Sequence, residues 1–312
     1  MLSFLALSLP IFAVIAIGMA TVRFRLVPGA MIEAVGLFSF NVALPALLLR
    51  LMAGQPLAQS FQPGYLAGYL AACLLVFNAA MLVALLRGQG RARSAALGAA
   101  GAMGNVGYLA PPLLLPILGP AVAGPVAMAI FAEVAVIIAL GSILMAPAVP
   151  GARLRAVWGG LRGLGRNPVI LSILGGVALA ASGLTLPEPF ERFLAFLGGA
   201  AGPTALFALG GTLGALRIGR RLLAVAAGIS VAKLVVFPLA VWLVLGPGLD
   251  LGAFLVTAGV LLAAMPTATN AFVLASRNRA GAEEVSAGVL LSTALAAIAF
   301  PATAWIISAP LP

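Results

Sequence analysis

Glu133 and Lys233 each stand near the middle of a long apolar stretch that holds no other ionisable residue. An ionised group held in hydrocarbon costs roughly 2.5–3.5 kcal/mol on insertion scales, so each should face an interior and find a partner there. Each is the natural partner for the other. As a structural device the two form a buried ion pair that braces the fold. As a chemical device Glu133 carries a proton, and Lys233 binds an anion or stands in for a cation. Two amides come next. Asn105 lies in Gly104-Asn105-Val106-Gly107-Tyr108, ahead of Pro111-Pro112, and Asn270 follows Met265-Pro266-Thr267-Ala268-Thr269. Proline has no N–H and its ring clashes with the preceding turn, so Pro111-Pro112 and Pro266 predict two broken helices. An amide at a break can donate to a substrate carboxylate, or merely satisfy the freed backbone. Thr267 and Thr269 are placed to cap the second half-helix. Each break also exposes a helix N-terminus, whose dipole and unpaired N–H groups favour an anion by ~0.3–1 kcal/mol. Asn41 and Pro45 are a third polar and bending pair, read as one wall of the site or as a packing kink.

Other chemistries find no residues. The chain has no histidine and one cysteine, Cys73, so neither an internal disulfide nor a His/Cys metal site is expected. Gly210-Gly211-Thr212-Leu213-Gly214 lacks the lysine of a phosphate loop. No catalytic constellation, cofactor site or metal site is expected.

The elements that hold these residues are set by composition. Hydrophobic residues make up 63% of the 312, charged residues 8%, and mean hydropathy is +1.20. Soluble domains carry about 25% charged residues. The chain divides into ten candidate membrane spans: 2–22, 34–53, 64–86, 94–116, 121–147, 168–186, 193–216, 222–245, 251–275 and 285–307. Each is near the ~20 residues that cross a bilayer. The first is a full span with no basic segment ahead of it, so no cleavable signal peptide is expected. The longest linker, 148–167, is the natural join between two halves.

Odd-numbered loops hold Arg23 and Arg25; Arg87, Arg91 and Arg93; Arg153, Arg155, Arg162 and Arg166; Arg217, Arg220 and Arg221; and Arg277 and Arg279. Even-numbered loops hold Arg192 alone. This asymmetry puts the odd loops inside and both termini outside, where a reagent should reach a cysteine at Gln59 and not one at Gln89. Arg50, four residues from the end of its span, should reach the outer interface. The net charge of +10 is thus a topology signal, and nucleic acid is not an expected partner. Five spans per half implies that the second half, 151–312, is inserted upside down relative to the first, 1–150. Pro45 then corresponds to Pro203 and Pro112 to Pro266. Inverted repeats with broken helices meeting at mid-membrane are a recurrent plan of secondary transporters.

Three stretches resemble one known family. Asn105-Val106-Gly107-Tyr108…Pro112-Leu113, Met265-Pro266-Thr267-Ala268…Phe272-Val273-Leu274-Ala275 and Phe40-Asn41-Val42-Ala43-Leu44-Pro45-Ala46-Leu47-Leu48 are similar to motifs of the auxin efflux carrier family. The chain lacks a long central hydrophilic loop and is similar to the short bacterial members rather than the long plant PIN carriers. The resemblance implies an all-helical protein of ten helices in two inverted five-helix repeats, with spans 4 and 9 crossing at their prolines. It implies a scaffold of spans 1, 2, 6 and 7, a moving domain of spans 3–5 and 8–10, elevator-like transport and a homodimer in the bacterial inner membrane. Ala110 and Pro111 stand where members often have glycine near position 110 or 111, a departure that implies a stiffer first crossing and a substrate that need not be an auxin. The expected function is secondary transport of a small organic anion, a mono- or dicarboxylate or auxin-like acid, with possible proton coupling. A sodium–proton antiporter is the first alternative, although the only aspartate, Asp250, is in a loop. A receptor or intramembrane enzyme is the alternative from another class.

Overall fold

The computed structural model describes residues 2–56, 61–216 and 219–308. Gln59, Arg217 and the two chain ends lie outside the described residues. Thirteen helical elements follow, some interrupted by π turns: α1 Leu2–Arg23, α2 Gly29–Ala53, α3 Pro63–Leu86, α4 Arg91–Ala102, α5 Val106–Leu118, α6 Pro120–Met145, α7 Ala152–Leu164, α8 Pro168–Ser182, α9 Glu188–Ala215, α10 Arg220–Gly248, α11 Ala253–Ala263, α12 Thr269–Arg277 and α13 Ala282–Ser308. Seven of these are long and apolar enough to cross a membrane, or eight spans if the bent pair α7–α8 counts as one.

Spans 4 and 9 are the interrupted ones, as α4/α5 and α11/α12. The second break lies at Pro266, as its sequence predicts. The first lies at Met103–Asn105, seven residues or so before the double proline, which sits inside α5. Backbone accounting explains the shift. Proline removes a donor rather than orphaning one, and a carbonyl left short of a partner is tolerated better than a stranded N–H. A break strands donors, so it forms where they find acceptors. Asn105 N–H donates to Pro266 O at 2.8 Å, Gly104 N–H to the Glu133 carboxylate at 2.9 Å and Ala268 N–H to Met103 O at 3.0 Å. Gly104 and Thr267 thereby face each other as an antiparallel bridge, the only strand-like pairing among the described residues. The residues that face each other at the two breaks are thus Gly104 and Thr267, with Pro112 farther along α5.

The linker 148–167 is also more ordered than its loop-like charge implies. Ala152–Leu164 is a helix with Leu154, Trp158 and Leu161 exposed on one side, and it meets α8 at 55°. Apolar residues spaced four and three apart on a basic helix are the pattern of an element lying in a membrane interface. α8 stops at Ser182 because Gly183 adopts φ 69°, so this span is shorter than expected.

Two packing groups are evident. α1 runs along α9, and α2 packs on α8 and α9; α3 packs on α4, α10 on α13, and α11 on α10. The α1–α9 seam is drawn tight by glycine: a Cβ on Gly210 would lie 2.0 Å from Ile15 O, and one on Gly18 2.2 Å from Phe207 O. The loops sort by end. Arg93 pairs with Glu284 at 2.6 Å, Arg221 with Glu283 at 3.8 Å, and Arg91 donates to Ala146 O at 2.9 Å, which gathers arginine-bearing loops at one end. Arg50 pairs with Glu191 at 2.7 Å, and Gln55 donates to Pro120 O, which joins the even loops at the other. Arg50 is therefore anchored to α9 rather than simply extended along the interface.

Candidate functional site

The bridge between the two breaks is the centre of the site. Around it three long helices each contain a π turn: Ser39–Ala43 in α2, Ala132–Ile137 in α6 and Ala232–Val236 in α10. These turns carry Asn41, Glu133 and Lys233. A π turn widens the helix by one residue and frees a carbonyl, and such turns recur at functional sites.

Glu133 is 1% exposed and fully bonded: Oε2 accepts from Gly104 N–H at 2.9 Å and Oε1 from the Tyr69 hydroxyl at 3.0 Å. Lys233 is fully buried, donates to Ala263 O at the carbonyl end of α11, and lies 4.3 Å from the Phe237 ring centroid. The two charges do not form the direct ion pair expected of them; no contact within 4.0 Å joins them among the described residues. They flank Gly104 instead. A Cβ there would sit 3.1 Å from Lys233 Nζ and 3.4 Å from Glu133 Oε1, so a larger residue would press on both charges. The physical cause is that each charge already has a main-chain partner supplied by a break.

Beside the bridge lies a small cavity of about 40 Å³. The first residues of α5 (Val106, Gly107, Tyr108) and of α12 (Thr269, Asn270) line it, with Asn105, Glu133, Phe40 and Asn167. Two helix N-termini therefore converge on one space, each with backbone N–H groups unpaired within its helix. Neither end is capped by a side chain. Thr267 is not the expected cap: its hydroxyl donates to Ala100 O at 3.2 Å, and its N–H to the Ser292 hydroxyl at 3.1 Å. Asn105 is 5% exposed and its Nδ2 has no partner. Such a donor is costly unless something accepts from it.

Among the sequence-derived candidates, Asn105, Asn270 and Glu133 meet at this cavity, Lys233, Thr267 and Pro266 lie behind it, and Pro111, Pro112 and Asn41 do not line it. Pro111 and Pro112 line no part of the cavity, and Pro112 packs toward Gly202 on α9. Asn41 is exposed on the outside of α2, while its neighbours Phe40 and Leu44 line the cavity. The π turn shifts the helix register by one residue and turns Asn41 away. Sequence reasoning missed Tyr69, Gly104, Ser292 and Asn167. Asn167 caps α8, accepting from Val169 N–H at 3.0 Å, and an asparagine directly before a proline is a recognisable helix-start signal.

Broken helices that meet beside a small, donor-lined cavity inside an apolar helical body are the plan of a membrane transport protein. A family model described as "Membrane transport protein" matches residues 156–306. The chain is also 36% identical over 292 residues to a Rhizobium meliloti (strain 1021) protein named "Putative malonate transporter", across 93% of this chain and 91% of that relative. The chain belongs to the auxin efflux carrier family of membrane transport proteins, and is a transporter rather than an enzyme.

Proposed function

We propose that the protein is an elevator-type secondary carrier for a small dicarboxylate of malonate's size, bound between the N-termini of α5 and α12. The observation that carries this reading is the unpartnered, buried Nδ2 of Asn105 beside two uncapped helix N-termini. That donor set suits a carboxylate, and Glu133, the one carboxylate in the lining, is already engaged by Gly104 N–H and the Tyr69 hydroxyl, which argues against a cation antiporter. The name of the 36% identical relative supports the choice of a dicarboxylate.

The cavity is bounded by Phe40 and Leu44 of α2 and Asn167 and Val169 of α8 on one side, and by α5, α6 and α12 on the other. It thus lies at the seam between the two packing groups. In this reading α1, α2, α8 and α9 are a scaffold, and the crossing helices with α3, α6, α10 and α13 are the moving domain. The halves 1–150 and 151–312 are inverted repeats of five spans each, with the arginine-rich end in the cytoplasm and both termini outside the inner membrane. Asn41, exposed at mid-span, is an expensive residue to show to lipid, and this supports a homodimer formed over that face of α2. Lys233 sits at the carbonyl end of α11, where broken-helix carriers of other kinds coordinate sodium. Its ammonium is a built-in cation, so transport needs no sodium. Glu133 is the proton-carrying group when transport is proton-coupled.

Uptake of labelled malonate into proteoliposomes tests the reading. Wild type should accumulate label in sodium-free buffer. Asn105→Ala should raise KM roughly 10–100-fold, the loss of one hydrogen bond to a charged group, without lowering thermal stability. Strict sodium dependence, or proton or sodium flux with no organic solute moved, would overturn it.

A further inference from the structure

A second, larger cavity of about 700 Å³ adjoins the smaller one on the arginine-rich side. Phe40, Val134, Asn167 and Asn270 line both, so the two spaces share a wall. The larger space is bounded by α6, by α12 and by the interfacial helix α7. Its lining holds two ionisable groups, Arg155 of α7 and Arg277 in the last turn of α12, and no carboxylate. Arg93 and Arg221 on the same face are engaged by Glu284 and Glu283. Arg155 and Arg277 have no carboxylate within 4.0 Å among the described residues. Arg277 complements the dipole of its own helix end, which accounts for its presence there. Arg155 lies in the first turn of α7, where a cation is disfavoured, so helix stability does not account for it. The wall of α7 that carries it is otherwise Ala152, Ala156, Gly159, Gly160 and Gly163, with Leu164 at its end. A Cβ at Gly159 or Gly163 would meet nothing within 4 Å, so close packing does not require those glycines either. They cost helix stability, roughly 1 kcal/mol each relative to alanine, and leave the space wide.

We propose that this cavity is a vestibule that recruits dianions, with Arg155 and Arg277 as its specificity-determining residues. The inference rests on the carrier reading above and adds to it a selection step outside the binding site. A wide cavity walled by low-dielectric protein and bearing one sign of charge raises the local concentration of a counter-charged solute. A dicarboxylate feels the two arginines about twice as strongly as a monocarboxylate does, so the vestibule favours it before any contact with Asn105.

The test is transport in right-side-out and inside-out vesicles, so that substrate is supplied to each face in turn. In low salt, the double variant Arg155→Gln/Arg277→Gln should raise the KM for malonate at the arginine-rich face about tenfold. The KM for a monocarboxylate carried by the wild type should rise only about threefold, and the KM for malonate at the opposite face should stay within about twofold. At 1 M salt, with a screening length of about 3 Å, the difference should vanish. Thermal melting controls for folding, and both arginines are exposed. An equal KM for wild type and variant at the arginine-rich face, or an equal rise at both faces, overturns the vestibule while leaving the carrier intact. A wild type that moves no carboxylate sinks the carrier reading, and the vestibule with it.

Discussion

Lys233 is held by a main-chain carbonyl, and this decides what its loss should do. Two buried charges are taken from water at a penalty of several kcal/mol each, and replacing both by uncharged residues of like volume is often neutral or stabilising, whereas removing one strands the other. Lys233→Met combined with Glu133→Gln should therefore melt at or above the wild-type temperature, while transport falls about tenfold or more. A brace would behave the opposite way, with melting lowered and transport following it. Glu133→Gln keeps an acceptor for Gly104 N–H and should melt near wild type, but its flux should no longer depend on a pH gradient. If both variants transport normally, the two charges are scaffolding and the site consists of the broken helices alone. Gly104→Ala is the finer probe. Its methyl would press on the Lys233 ammonium at 3.1 Å, so overpacking of about 1–3 kcal/mol should appear as a lower melting temperature. At this scale the sequence was informative about identity and less so about contact. A lone glutamate and a lone lysine in apolar runs announce themselves. That each would be bound by backbone, with a glycine between them, depends on where the chain breaks.

The elements tell the same story one level up. Pro266 marked its break correctly because the residues around it find acceptors in place. Pro111-Pro112 marked a segment that remains helical, because two missing donors leave nothing to strand inside α5. Asn41 does not line the cavity although Phe40 and Leu44 do, because α2 carries a π turn there and the helix register shifts by one residue. The linker helix α7 was legible in retrospect from Leu154, Trp158 and Leu161 on a basic segment, but four arginines read as a loop. The α1–α9 seam gives a prediction of its own. Gly210→Ala would place a carbon 2.0 Å from the Ile15 carbonyl, so α1 has to move away from α9. We expect a lowered melting temperature and reduced yield of folded protein in membranes, whereas alanine at Gly228, which meets nothing within 4 Å, should be neutral or mildly stabilising.

For the whole molecule, the membrane class and the presence of two interrupted helices were legible in the pattern of apolar runs, glycines and prolines. The partition into two packing groups was not, since it depends on contacts between distant helices. Orientation is directly testable. The native Cys73 is buried, so labelling background is low. A membrane-impermeant maleimide applied to cells should reach a cysteine at Ser182, an exposed residue at the even-loop end, and should reach one at Gln89 only after permeabilisation. Equal labelling of both in intact cells would reverse or abolish the proposed orientation. Energetics follow from the fixed charge on Lys233. A dianion that moves with no compensating ion carries two charges, and the membrane potential contributes ~2.3 kcal/mol per charge per 100 mV. An inside-negative potential should then drive export, and collapsing it with an ionophore should slow export unless protons travel with the substrate.

The two breaks are fastened to each other by main-chain hydrogen bonds, Asn105 to Pro266 and Ala268 to Met103. Main-chain bonds are indifferent to side-chain identity. The side chain at position 105, and those of Tyr108 and Asn270, can therefore be exchanged during divergence without unfastening the frame that presents them. A lineage built on this knot can change its cargo by point substitution while its mechanics are inherited intact, and the same latitude is open to an engineer who redesigns the cavity.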